Sequence, residues 1–164
     1  SSTTSRVLPT RVAGSGTGAR VFTSVRTAPS MTCALNTSSQ VLCWGFNLRS
    51  ASGPNDLVPA LTIAGPASDF AIGNGHACAI TSGTLSCLGR NEFGAVGPNA
   101  AFIQIAPVAI GLNGRTAQRV WAGGTATCVQ TADGVYCFGR NRSGMLGVGS
   151  TAVEVVRDPT RMIH

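Results

Sequence analysis

Apolar and polar positions along the chain do not follow a helical period. Short alternations typical of half-buried strands occur at Val21-Phe22-Thr23-Ser24-Val25, Val108-Ala109-Ile110 and Val153-Glu154-Val155-Val156. The abundance of Gly, Thr, Ser and Val also disfavours helices. Other apolar stretches come in pairs around turn residues. Met31 to Leu35 and Val41 to Trp44 flank Asn36-Thr37-Ser38-Ser39. Segments ending at Ile80 and starting at Leu85 flank Thr81-Ser82-Gly83, and segments ending at Gln130 and starting at Val135 flank Thr131-Ala132-Asp133-Gly134. Asp-Gly between apolar runs is a strong hairpin signal. The pattern predicts an all-β chain of hairpins and tight turns.

These hairpins repeat. Phe70 to Gly97 and Val120 to Gly147 match in order, and Met31 to Asn47 gives a shorter copy. The first cysteines, at 33, 78 and 128, are separated by 45 and 50 residues. A proline-led apolar segment recurs at Pro9, Pro59, Pro107 and Pro159, in steps of 50, 48 and 52. Short strands at this spacing predict a β-propeller-type repeat array of about three four-stranded blades. The expected division is an N-terminal strand and Gly/Ser-rich linker over 1–19, then three repeats at about 20–66, 67–112 and 113–164. Gly14-Ser15-Gly16-Thr17-Gly18 reads as that linker. It lacks the lysine of a phosphate-binding loop.

Six cysteines fall as Cys33/Cys43, Cys78/Cys87 and Cys128/Cys137, with gaps of 10, 9 and 9. Each gap holds a hairpin turn, which sets the two residues opposite each other at a distance a disulfide can span. An even count at a repeated position argues for three local disulfides and an oxidising compartment. Zinc is the competing reading, but it favours closer pairs and four ligands. Free buried thiols in a reducing compartment are the other.

The pieces Cys-Ala-Leu/Ile, a turn, Cys-(Trp/Leu/Phe)-Gly-x-Asn and x-x-Gly-x-x-Gly resemble the regulator of chromosome condensation repeat. The likeness covers nearly all of residues 20–164. It implies a β-propeller with four-stranded blades, and the cysteine pairs look like those of secreted bacterial members. Asn47, Asn91 and Asn141 are then turn residues, and Gly94, Gly97, Gly144 and Gly147 supply turns or close backbone approach. The first copy departs from the pattern at Ser50 and lacks the glycine pair seen at Gly73/Gly75 and Gly123/Gly124. Trp44, Trp121 and Phe138 are expected in the core between blades.

Such propellers close with about seven blades, more than three units supply. Either the chain is a piece of a longer protein or copies associate. Leu8-Pro9-Thr10-Arg11-Val12 is similar to Asp158-Pro159-Thr160-Arg161-Met162, so a strand of one copy is positioned to complete a sheet of the next. Pro9, Val12, Pro159 and Met162 are the candidate assembly positions.

The chain has 164 residues and a formal charge of +6, from 12 arginines, no lysine and 6 acids. With 43% hydrophobic and 11% charged residues it is not a disordered chain, and no apolar run is long enough for a membrane span. Ser1 to Arg11 has no apolar signal core, so an export signal is expected to be absent or removed. GC-rich codon choice explains the use of arginine without lysine, and because the arginines are scattered nucleic acid is not an expected partner. Catalytic chemistry is thin. His76 takes a place held by Met31 and Ala126 in the other copies and reads as a packed histidine. A Ser-His-Asp set would need Asp69, and nothing places a serine on an elbow. The six acids show no pairing for hydrolysis or metal binding. Asn36-Thr37-Ser38 and Asn141-Arg142-Ser143 match the glycosylation sequon, the second more suited to a turn.

No enzyme activity, cofactor or metal is expected. The favoured reading is a secreted, periplasmic or cell-surface module that binds protein or other copies of itself. The resemblance supports protein binding, since the family includes a secreted inhibitor of a β-lactamase. The alternative is a lectin-like or hydrolytic domain with a pocket at the propeller axis. The nuclear exchange-factor role of the family's namesake fits local disulfides poorly.

Overall fold

The computed structural model describes residues 21–46, 48 and 56–163, together with Leu8 and Val12. Asn47, Ser50, Pro9 and the Gly14–Gly18 stretch lie outside the described residues.

The chain is all-β, with three four-stranded antiparallel sheets of propeller type. The first holds β1 (Phe22–Ala28), β2 (Met31–Asn36), β3 (Val41–Gly45) and β4 (Asp56–Ile63) in that order. The second holds β5 (Ala67–Ile72), β6 (His76–Thr81), β7 (Thr84–Arg90) and β8 (Ile103–Ala109). The third holds β9 (Arg119–Gly123), β10 (Ala126–Thr131), β11 (Gly134–Arg140) and β12 (Val155–Arg161). Among the described residues the helical element is a single 3-10 turn, Arg142–Gly144. No helix there is long and apolar enough to cross a membrane. Inner strand β5 lies against both β1 and β9, so the inner strands stand side by side.

Proline position explains the outer strands. A proline cannot donate to a ladder and is tolerated on an edge. Pro59, Pro107 and Pro159 fall in β4, β8 and β12, each the last strand of its sheet. Between the third and fourth strands the register slips at the same place in all three sheets: Cys43/Gly45, Cys87/Gly89 and Cys137/Gly139.

Alternation along each strand splits the side chains between two faces. The face towards the following sheet is called forward here, and the opposite one backward. Met31, Cys33, Val41 and Cys43 of the first sheet pack forward against Phe70, Ile72, Ala77, Ala79 and Leu88. Ala71, Cys78, Ile80, Leu85 and Cys87 of the second pack forward against Val120, Val129, Tyr136 and Phe138. The forward face of the third sheet gathers Ala126, Cys137 and Leu146 with Cys128, Val135, Val148, Val156 and Met162. No further sheet of this chain follows it among the described residues.

Three details differ from the sequence expectations. Val21 precedes β1, and exposed Val153 precedes β12, because both alternations begin in the approach to the strand. Phe138 is fully buried between sheets, but Trp121 is 48% exposed. Its place on the forward face of the last sheet leaves the indole without a facing blade. Trp44 stacks on Phe22 of its own sheet, with centroids 6.0 Å apart.

Candidate interaction surface

The three cysteine pairs sit in register on the two middle strands of each sheet. Their sulfurs lie 2.13, 2.14 and 2.12 Å apart for Cys33–Cys43, Cys78–Cys87 and Cys128–Cys137, at Cα separations of 4.1, 4.0 and 4.1 Å. The first two pairs are buried at the internal junctions, whereas the third belongs to the open forward face, with Cys128 partly exposed.

Asn91 and Asn141 close equivalent loops in the same way. The Asn91 amide donates to the carbonyls of Gly97 and Ala100 and its Oδ1 accepts from Val96 N–H. Asn141 donates to Ser150 and Val153 carbonyls and accepts from Leu146 N–H. Both are buried. Gly94, Gly97, Gly144 and Gly147 lie in these loops with φ of 76°, 96°, 72° and 65°.

His76 and Asp69 point to separate tasks. His76 is buried, with Nε2 3.0 Å from Thr127 Oγ1. The Thr127 hydroxyl donates to the Ala95 carbonyl, so Nε2 carries the proton that reaches it. Burial pushes the imidazole pKa down to about 4, opposed in part by a hydrogen bond with the Ala126 backbone. Asp69 instead links three sheets. Its Oδ1 takes Arg26 Nη2 at 2.7 Å and its own neighbour Phe70 N–H at 3.0 Å, while Oδ2 accepts Val120 N–H at 2.9 Å. The two side chains are spent on packing and inter-sheet bonding, with no hydrogen bond between them. Among the described residues no three His, Cys, Asp or Glu side chains gather as a metal site.

Arginines stack across the junctions. Arg26 lies 4.6 Å over Phe70, Arg90 lies 4.8 Å over Phe46, and Arg140 lies 4.5 Å over Phe93. Each pair joins neighbouring sheets. Sequence patterning gave no sign of this ladder, because each aromatic partner sits in another repeat, Phe70 in β5 and Phe46 and Phe93 outside the strands.

Two adjoining features remain unfilled. Two clefts of about 420 and 380 Å³ run along the inner strands and share Arg26, Val120 and Trp121. Thr27, Ala71, Ile72 and Ala122 complete the first, and Ser68, Asp69, Gln118 and Arg119 complete the second. Beside them lies the open forward face of the third sheet. Met162 N–H bonds to the Val135 carbonyl as Ile110 N–H bonds to Leu85, so the two residues hold equivalent places. Ile110 is core between the second and third sheets, and Met162 stands on the uncovered face. Pro159 lies in β12, which pairs with β11 of its own sheet. Val12 is exposed.

No family model and no curated protein matches the chain. Solved structures do match. Yeast RCC1 (Prp20), in a crystal structure with Kap60 bound, aligns at TM-score 0.76 and 19% identity over 90% of this chain and 38% of that one. Prp20p from Saccharomyces cerevisiae, in a study of its binding to Gsp1p and histones, gives the same score and identity over 90% and 39%. Human WBSCR16 aligns at 0.77 and 20% over 95% and 43%. At these identities the likeness is one of fold. The chain spans about two fifths of each neighbour.

Proposed function

We propose that the chain is a non-catalytic, protein-binding propeller module of the regulator of chromosome condensation repeat type, working in an oxidising extracytoplasmic compartment and joining other copies of itself. The three repeats run over about 20–66, 67–112 and 113–164, after an N-terminal strand and linker over 1–19. The observation that carries this reading is the forward face of the third sheet. Trp121, Met162 and the Cys128–Cys137 pair stand there, where the junction of the second and third sheets buries Ala71, Ile110 and the Cys78–Cys87 pair. Exposed contiguous apolar surface of this kind marks an interaction site. Propellers with the same fold bind proteins, as the complex with Kap60 and the binding to Gsp1p and histones illustrate for yeast Prp20. The buried cysteine pairs support the oxidising compartment.

Strand exchange is the second element of the reading. Since all three sheets already hold four strands, with β12 completing the third, the N-terminal segment with Pro9 and Val12 would add to a sheet edge of the next copy rather than fill a missing place. Light scattering of the purified chain under non-reducing conditions tests the assembly. A discrete multiple of 16.6 kDa, or a growing polymer, is expected. A single mass of 16.6 kDa at all concentrations would overturn self-association and leave binding to other proteins.

The inner-strand clefts favour a second reading, a small-ligand site at the axis built on exposed Trp121 with Arg26 and Arg119. Saturable binding of a sugar or a carboxylate, abolished by Trp121→Ala without change in mass, would select it.

A further inference from the structure

Two Asn-Gly dipeptides lie between strands, Asn74-Gly75 between β5 and β6 and Asn113-Gly114 between β8 and β9. In Asn-Gly the following backbone nitrogen reaches the asparagine side-chain carbonyl most easily, because glycine has no Cβ to obstruct the approach. The fold treats the two dipeptides differently.

At Asn74-Gly75 the backbone is held. Asn74 N–H donates to the Gly124 carbonyl at 2.6 Å, and Gly75 N–H donates to the Gly73 carbonyl at 3.1 Å. Gly75 is buried, and a Cβ on it would meet the Arg90 side chain. The nitrogen that would attack is therefore occupied and packed in place.

At Asn113-Gly114 both residues are exposed, with φ of 52° and 79°. The turn is closed by Arg115 N–H, which donates to the Leu112 carbonyl at 3.1 Å. Among the described residues, neither the Asn113 side chain nor the Gly114 N–H has a hydrogen-bond partner. A Cβ on Gly114 would meet nothing within 4 Å. The flanks are anchored by Leu112 and Ala117, buried between the second and third sheets, and by the Arg115–Asp133 pair. The turn is thus free to open while the sheets stay packed.

We propose that Asn113 is a site of spontaneous covalent modification, at which the folded chain loses its side-chain amide. Hydroxide removes the Gly114 amide proton, and the nitrogen bonds to Cγ of Asn113. The Cγ–Nδ2 bond breaks and ammonia leaves, giving a succinimide. Water then opens the ring. Attack at Cγ gives aspartate, and attack at the main-chain carbonyl gives isoaspartate, which carries the chain through the former side chain. Overall, water is consumed and ammonia is released. Either product places a carboxylate close in sequence to Arg115, where it competes with Asp133 for the guanidinium. The formal charge of +6 falls by one.

Incubation of the full chain at mildly alkaline pH, followed by proteolysis and peptide mass analysis, tests the proposal. Asn113 is expected to convert at least about 10-fold faster than Asn74, whose held backbone must first open. In the reduced, urea-unfolded chain the two should convert at similar rates, since each is then an unrestrained Asn-Gly. Equal rates in the folded chain would overturn the proposal, and so would conversion of Asn113 confined to the unfolded chain. In Asn113→Gln the less basic form that cation exchange resolves from the aged parent chain should disappear. Its persistence would place the modification elsewhere and overturn the assignment.

Discussion

Asn91 and Asn141 each satisfy three backbone groups from inside a loop that has no strand partner for them. Truncation strands those groups, and buried unmade hydrogen bonds are costly. Asn91→Ala should lower unfolding stability by about 2–4 kcal/mol, read from the urea midpoint. His76 gives a pH dependence of known sign. The unfolded chain takes up a proton near pH 6.5, while the folded imidazole resists it until about 4. The unfolded state therefore binds more protons in that window, and stability falls as the pH falls from 6.5 to 4, by up to about 3 kcal/mol. Above pH 6.5 the residue contributes no slope. His76→Met, which places the residue found at Met31, should flatten the slope measured by urea unfolding across that range. Asp133 acts lower down. Hydrogen bonds from Thr131 and Arg115 hold its carboxyl below the usual range, so its stabilisation is lost only as the pH falls below about 3.8. At this scale Asn91, Asn141 and His76 stand out in the sequence, since each repeats or departs from a repeat in place. Phe138 is buried between sheets as expected, and Trp121 is not. Both are aromatics near a cysteine, and only the face of the third sheet on which each lies decides whether a sheet covers it.

Hairpins were legible because the cysteine spacing and the turn residues agree, and the outer strands because proline marks an edge. The slip in register beside each Cys-x-Gly left no sequence trace beyond the glycine. Gly89 and Gly139 take φ of 106° and 114°, and a Cβ at either would strike the backbone of the preceding hairpin strand. Gly139→Ala should therefore destabilise the fold by more than about 2 kcal/mol, through strain and collision together. The sheets also differ in how well they shield their sulfurs. Cys33–Cys43 and Cys78–Cys87 are enclosed between sheets, and Cys128–Cys137 is on the open face. A mild reductant without denaturant should open Cys128–Cys137 first, and alkylation followed by peptide mass analysis should label Cys128 and Cys137 well before the other four. Equal labelling of all six would mean that the first two junctions open as readily as the third face.

The described residues form a run of three like sheets, and the self-association proposed for the chain would link assembly to stability. A partner that binds only the folded chain stabilises it in proportion to the logarithm of its concentration. Above the dissociation constant, a hundredfold rise in protein concentration adds about 2.7 kcal/mol. For a chain of this size that raises the thermal midpoint by about 5–10 °C. The charge of +6 gives a rival explanation for clustering, through bound polyanions, and salt separates the two. The arginines that line the inner strands would release polyanions as salt rises, whereas an apolar joint through exposed Trp121 would not weaken. The midpoint is therefore expected to climb with concentration to the same extent at about 50 mM and about 500 mM salt. In Trp121→Arg it should stay fixed. A climb that vanishes in high salt would assign the association to charge, and a midpoint fixed at every concentration in the parent chain would leave the open face to another protein.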